Sequence, residues 1–99
     1  MPAYVLGEIR TDDPVTLARL TETYVPPALA SIAAYGGRLI AGGQPEMLDG
    51  SPTPARAVVI EFPDAGAARR WYRSPEYQGV INLRLSSADG RVLLLDGAQ

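Results

Sequence analysis

Residues 56–62 read Arg-Ala-Val-Val-Ile-Glu-Phe, and their β-branched content is typical of a β-strand. Successive side chains of a strand point to opposite faces of its sheet. Val58 and Ile60 therefore share one face while Ala57 and Val59 share the other, so this strand is apolar on both sides. An antiparallel sheet that faces water on one side normally carries polar residues there. The stretch therefore predicts a sheet that is covered on both faces.

Further segments read as strands and extend this pattern across a whole sheet, namely residues 3–10, 38–41 and 91–96. Two helices cover one face only, and a second copy related by a twofold axis is the simplest cover for the other, so we predict a homodimer. The face that we assign to the helices holds Val5, Ile9, Leu39, Val58, Ile60, Phe62, Val92 and Leu94. The face that we assign to the dimer contact holds Tyr4, Leu6, Ile40, Ala57, Val59, Leu93 and Leu95.

The first helix is predicted between residues 3–10 and the strand at 38–41. Asp13-Pro14 provides an N-cap followed by Pro at the first helical position, where the missing N–H group costs nothing. Pro26-Pro27 interrupts the helical pattern, so we expect a kink or a restart there. Gly36-Gly37 ends the helix, because Gly adopts the left-handed conformation most easily.

The second helical region is predicted after residues 56–62. Pro63-Asp64 begins it, and Ser74-Pro75 begins a further helical segment. The resulting order, β-α-β-β-α-β, is the ferredoxin-like arrangement with a four-stranded antiparallel sheet, and its class is α+β. A chain of 99 residues has room for one domain, which we place at residues 1–99.

The composition excludes several classes of function. The chain contains no His and no Cys, which argues against thiol and Ser-His-Asp catalysis, conventional zinc sites and His-ligated haem, so we expect neither a metal nor a cofactor. The net charge of −2, without any Lys, argues against nucleic acid as a partner. No apolar run approaches the ~20 residues that span a membrane. Because the N-terminus also lacks a signal-like pattern, we expect a cytoplasmic protein with no membrane partner.

The segment Trp71-Tyr-Arg-Ser-Pro-Glu-Tyr-Gln78, together with Tyr35-Gly-Gly-Arg38 and Arg84, resembles the family called domain of unknown function 1330. That family is placed in the dimeric α/β-barrel superfamily. The resemblance implies a ferredoxin-like protomer whose sheet packs on the sheet of its twin. Better-known members of the superfamily include cofactor-independent monooxygenases of aromatic polyketides, muconolactone isomerase and haem-binding chlorite dismutases. The absence of His disfavours the haem-binding type.

An aromatic cluster with one cation is the first candidate site. Tyr24, Trp71, Tyr72, Tyr77 and Arg84 are predicted to line an apolar pocket between the helices and the sheet. Their hydroxyl groups and the guanidinium group would then orient a planar organic anion. The alternative is that these rings simply fill the core, as buried aromatic residues commonly do.

A charged group on the predicted dimer face is the second candidate site. Glu8, Arg38 and Glu61 share that face, where Arg38 is expected to pair with a carboxylate or to bind an anionic ligand. A partly desolvated carboxylate with a raised pKa could act as a base, although a structural ion pair is the commoner outcome. The catalytic candidates are therefore Tyr77, Arg84, Arg38 and Glu61.

Two functions remain open on this evidence. The first is a homodimer that binds a small organic molecule, aromatic or carboxylate, with cofactor-independent oxidation or isomerisation as the chemistry that suits the available groups. The second is a non-catalytic interaction module in which the barrel serves only to join two copies.

Overall fold

The computed structural model describes residues 1–97. Its elements are β1 (Ala3–Arg10), α1 (Pro14–Thr23), α2 (Val25–Ala34), β2 (Arg38–Gly43), β3 (Arg56–Phe62), α3 (Ala65–Arg73), α4 (Pro75–Gln78), α5 (Ile81–Leu85) and β4 (Asp89–Asp96). The strands form one four-stranded sheet in the order β2-β3-β1-β4, and every pair is antiparallel. The predicted ferredoxin-like α+β fold is confirmed. No helix among residues 1–97 is both long enough and apolar enough to cross a membrane.

The register of the sheet shows that both of its faces are apolar. Val5 lies opposite Ile60 on β3 and opposite Leu94 on β4. The next residue, Leu6, lies opposite Val59 and Leu93 on the same two strands and points to the other face. One central strand thus supplies apolar side chains alternately to both sides of the sheet.

A bulge in β2 changes part of the predicted pattern. Leu39 pairs with Ile60, but the register then shifts so that Ala41 pairs with Val59. Because a bulge adds one residue to a strand, the alternation of faces is reset after it. Ala41 lies opposite Val59, whereas the alternation predicted that Ile40 shares the face of Val59. The strand also runs on to Gly43, two residues beyond its predicted end.

The break between α1 and α2 occurs where the prolines predict it. The Asp13 carboxylate accepts a hydrogen bond from the Val15 N–H group at 3.0 Å and caps α1. The first helix ends at Thr23, and α2 begins at Val25 with both prolines in its first turn. Pro is tolerated there because the first turn of a helix has no internal partner for its N–H groups. Tyr24 occupies the joint between the two helices.

The helices cover one face of the sheet only. Phe62 from β3, Ile32 from α2 and Trp71 from α3 are buried in the core that forms between helices and sheet. On the opposite face Leu93 and Leu95 are 39% and 57% exposed. We refer to this second surface as the open face, and none of the helices within residues 1–97 packs on it.

Candidate functional site

A cavity of about 70 Å³ lies between the sheet and the helices. We call it the helix–sheet cavity. Its walls are mainly apolar and come from β1, α2 and β3, with Val5, Ile32 and Ile60 among the buried lining residues. Polar side chains also reach it from the helices, namely Tyr24, Tyr77 and Arg84. An apolar cavity with a few convergent polar groups is the usual form of a small-molecule site.

The two tyrosines meet inside the protein. The Tyr24 and Tyr77 hydroxyl oxygens lie 2.7 Å apart and share a hydrogen bond. Tyr24 stands at the joint between α1 and α2, while Tyr77 is placed by the short helix that follows Ser74. The Ser74 hydroxyl accepts a hydrogen bond from the Tyr77 N–H group at 3.1 Å and donates one to the Trp71 carbonyl at 2.7 Å. The sequence Ser-Pro-Glu-Tyr thus carries the Tyr77 ring into the core.

Arg84 is a buried cation on α5. Arg84 is only 4% exposed, and its Nε atom has no hydrogen-bond partner. The ion pairs formed within residues 1–97 join Arg38 to Glu61 and Arg91 to Glu8, so Arg84 has no carboxylate partner there. A buried charge without a counter-ion is costly, since the low-dielectric interior does not solvate it.

The Tyr24 hydroxyl and the Arg84 guanidinium group both keep their protons at neutral pH. Burial raises the pKa of Tyr24 well above its ordinary value, and the Tyr77 hydroxyl raises it further. Burial acts to lower the pKa of Arg84, but its interactions with the Tyr77 and Tyr24 hydroxyls more than offset this, so that its pKa is raised. The cavity therefore presents a guanidinium cation beside a protonated phenol.

The site can hold negative charge, but it offers little to a reaction that needs a base. Glu8 is the one carboxylate-bearing residue that borders the cavity within residues 1–97. Its carboxylate bonds instead to the Arg91 Nε atom at 3.1 Å on the open face. The phenol hydroxyls of the cavity can donate and accept hydrogen bonds, whereas a guanidinium group donates and never accepts.

The structure divides the predicted aromatic cluster. Tyr24, Trp71 and Tyr77 border the cavity, with the Trp71 and Tyr77 rings 4.4 Å apart between centroids. Trp71 is also a satisfied core residue, because its Nε1 atom donates to the Ser31 hydroxyl at 3.0 Å. Tyr72 lies outside the cavity and is 39% exposed. Consecutive helical residues are rotated by about 100°, so the neighbour of a fully buried residue turns toward the surface.

Arg38 and Glu61 of the charged group lie on the open face and do not border the cavity, whereas Glu8 does. Arg38 pairs with Glu61 at 2.9 Å, which is the predicted ion pair. Glu8 does not join them, since its partner is Arg91, a residue that the sequence analysis did not consider. Arg38 and Glu61 are thus placed apart from Arg84 and the tyrosines.

Gly7 also borders the cavity and was not anticipated. It lies in the middle of the central strand β1, opposite Val58 on one side and Val92 on the other. A Gly inside a strand often marks a place where another group approaches closely, and this is the signal that the sequence offered.

The profile of the family described as Domain of unknown function (DUF1330) matches residues 2–98. The chain belongs to this family. No curated protein matches the DUF1330 chain.

Solved structures resemble this DUF1330 protein in fold. A protein of unknown function from Rhodopseudomonas palustris has a TM-score of 0.74 at 22% identity, over 99% of this chain and 83% of its own. A dimeric ferredoxin-like protein of unknown function from Thermobifida fusca has a TM-score of 0.69 at 14% identity, over 98% and 92%. A mutant form of SnoaB, a cofactor-independent oxygenase from Streptomyces nogalater, has a TM-score of 0.65 at 15% identity, over 99% and 93%.

Proposed function

We propose that this protein binds a small organic anion in the helix–sheet cavity, with Arg84 as the counter-ion. The observation that carries the proposal is the buried Arg84 guanidinium, which has no carboxylate partner and an Nε atom without a hydrogen bond. Burying such a charge costs several kcal/mol unless an anion balances it. A ligand anion would supply that balance.

The rest of the cavity suits the organic part of such a ligand. Its apolar walls would bury hydrocarbon, which contributes roughly 25 cal/mol for each Å² removed from water. The Tyr24 and Tyr77 hydroxyls stand beside Arg84 and would orient the anionic group through hydrogen bonds. Tyr24, Trp71, Tyr77 and Arg84 are therefore the ligand-binding residues that we propose.

An enzymatic role is the second candidate. Hydrogen-bond donors and a cation that point to one place stabilise a developing oxyanion. Isomerisation and cofactor-independent oxidation both require such stabilisation. The fold shared with SnoaB, a cofactor-independent oxygenase, is compatible with this role. Since the cavity holds no free carboxylate among the described residues, Tyr77 and Arg84 would act on a substrate that already carries, or easily reaches, the anionic form.

The assembly that we propose is a homodimer formed through the open face. Leu93, Leu95, Leu6 and Val59 lie on this face and have no helix over them. Exposed apolar surface of this extent usually marks an interaction site. The relatives from Thermobifida fusca and Jannaschia are described as dimeric ferredoxin-like proteins, which supports the choice of a second copy as the partner.

The binding proposal is tested by titration calorimetry with sodium butyrate and sodium benzoate, and with butyramide and benzamide as neutral controls. Arg84→Met removes the charge and keeps an apolar side chain of similar length. We expect the wild type to bind at least one of the two anions and neither amide. Because a hydrogen bond to a charged group contributes about 1.5–3 kcal/mol, Arg84→Met should bind at least about tenfold more weakly.

Arg19→Met is the matched control, because Arg19 is exposed on α1 and does not border the cavity. Its affinity should equal that of the wild type. Equal affinities of the wild type and Arg84→Met would contradict the assignment. Failure of the wild type to bind any of the anions would favour the non-catalytic interaction module.

A further inference from the structure

Gly7 creates part of the space inside the helix–sheet cavity. It lies on the central strand, where Gly weakens a strand relative to any residue with a side chain. A Cβ atom built on Gly7 would stand 3.2 Å from the Val58 Cγ2 atom, so even a methyl group would press on this neighbour from the adjacent strand, which also lines the cavity. Every larger side chain would project into the cavity that Gly7 borders.

The volume of the cavity limits the ligand. The space measures about 70 Å³. An engineered apolar cavity that binds benzene measures about 150 Å³, which is roughly twice as large. The cavity therefore suits a short hydrocarbon chain better than an aromatic ring.

The charge of the cavity limits the ligand as well. Arg84 is the buried cation of the site, whereas Arg56 borders the cavity but is partly exposed to solvent. One buried positive charge balances one negative charge, and a second negative charge in the apolar interior would be left unpaired. The cavity therefore favours a monoanion over phosphate or a dicarboxylate.

We propose that the ligand is a short-chain aliphatic monocarboxylate and that Gly7 determines the longest chain that the cavity accepts. This inference rests on the proposed function, because Arg84 is the group that holds the carboxylate. Gly7 acts as a specificity-determining residue, since it touches the hydrocarbon part of the ligand and not the charged part.

The test is a titration of the straight-chain carboxylates from acetate to hexanoate against the wild type and Gly7→Ala. Each added methylene should raise the wild-type affinity about fourfold until the cavity is full, after which the gain stops. In Gly7→Ala the gain should stop one carbon earlier, while the affinity for acetate stays within about twofold of the wild type.

Gly42→Ala is the matched control. Gly42 lies opposite Val58 on β2, and a Cβ atom there would stand 3.2 Å from the other Val58 methyl group, Cγ1. The substitution thus makes the same close contact with the same residue, but Gly42 does not border the cavity. Its length limit, which is the chain length beyond which the affinity stops rising, should equal that of the wild type.

Val58→Ala provides the reciprocal test and remains informative if Gly7→Ala does not fold. Removing the Val58 methyl groups enlarges the cavity, so the length limit should move at least one carbon further. In the double variant Gly7→Ala/Val58→Ala the wild-type limit should return, because the added methyl group no longer meets Val58.

The outcomes separate this inference from the proposed function. If carboxylates bind and Arg84→Met abolishes binding, but the length limit is the same in the wild type, Gly7→Ala and Val58→Ala, the role of Gly7 is wrong and the anion site stands. If the wild type binds benzoate but no aliphatic carboxylate, the ligand class is wrong. If it binds no carboxylate at all, both proposals fail.

Discussion

Tyr24, Tyr77 and Arg84 place two hydroxyl groups and a guanidinium group beside a mainly apolar cavity. The hydroxyls satisfy each other through a single hydrogen bond, so one proton of the pair remains free to be donated. Arg84 keeps its charge because the same hydroxyls raise its pKa against the effect of burial. This arrangement is the basis of the anion site that we propose.

The raised pKa of Tyr24 predicts a loss of stability in alkali. The pKa is above its ordinary value of about 10 in the folded protein, mainly through burial, so the unfolded chain loses this proton first. Stability from the protonated phenol is thus fully present below pH 10 and is lost as the pH rises further. Compared with Tyr24→Phe, the wild type should lose about 1.4 kcal/mol of unfolding free energy per pH unit above 10.

Urea unfolding of both proteins between pH 8 and pH 11.5 measures this difference. Subtracting the two curves removes the contribution of the other titrating groups. A difference that stays constant across this range would contradict the buried, protonated state of Tyr24.

The sequence was sufficient to bring together part of this site. Tyr77 and Arg84 are seven residues apart, close to two helical turns, and the turn at Gly79 between α4 and α5 does not separate them. Tyr72 was misplaced because helical spacing alone does not say where a face ends. Gly7 escaped notice because a Gly inside a strand signals a close approach without saying of what, and the space beside it depends on how the helices pack over the sheet.

Ser74 joins helix α3 to helix α4. It ends α3 by donating to the Trp71 carbonyl and begins α4 by accepting from the Tyr77 N–H group, while remaining buried. One hydroxyl thus satisfies polar backbone groups from both helices and sets the direction of Tyr77. Pro75 follows at the first helical position, where it needs no hydrogen-bond partner.

Ser74→Ala should destabilise the protein by about 1–2 kcal/mol, because it removes the cap and leaves a buried N–H group without a partner. Chemical denaturation monitored by Trp71 fluorescence measures the change. Ser51→Ala, in an exposed part of the loop between β2 and β3, should change the stability by less than about 0.5 kcal/mol. Equal stabilities of the two variants would show that the Ser74 cap contributes nothing.

The elements with strong local signals were predicted correctly. β1 and β3 have the predicted bounds, and α2 restarts at the predicted prolines. β4 begins at Asp89, two residues before its predicted start, because pairing with Arg10 and Ile9 extends it through the turn signal Asp89-Gly90. The bulge in β2 was not predictable, since a register shift depends on the partner strand and not on the strand's own alternation.

The whole molecule is built on one sheet, and its two faces differ in what covers them. The helices and the cavity occupy one face, and the open face carries apolar side chains flanked by the ion pairs Arg38–Glu61 and Arg91–Glu8. Paired charges at the border of an apolar surface are compatible with burial in an interface, since neither carboxylate would lose its partner there.

Leu93→Glu should convert the proposed dimer into a monomer, because it places a charge on the apolar open face, opposite Leu6 of the central strand β1. Sedimentation velocity at micromolar concentration measures the mass of the particle. Leu48→Glu, in a loop residue that is 88% exposed, should leave the dimer intact. A wild type that sediments as a stable monomer at this concentration would overturn the proposal.

The alternation of β1 has a consequence for how such proteins diversify. Leu6 and Gly7 are adjacent in the chain, yet one faces outward to the proposed contact between subunits and the other faces the cavity. A duplicated gene could therefore change its ligand preference through substitutions at cavity-facing positions while every position at the subunit contact is conserved. New specificities would then arise within an unchanged quaternary structure, and two such paralogues would retain the capacity to form mixed dimers.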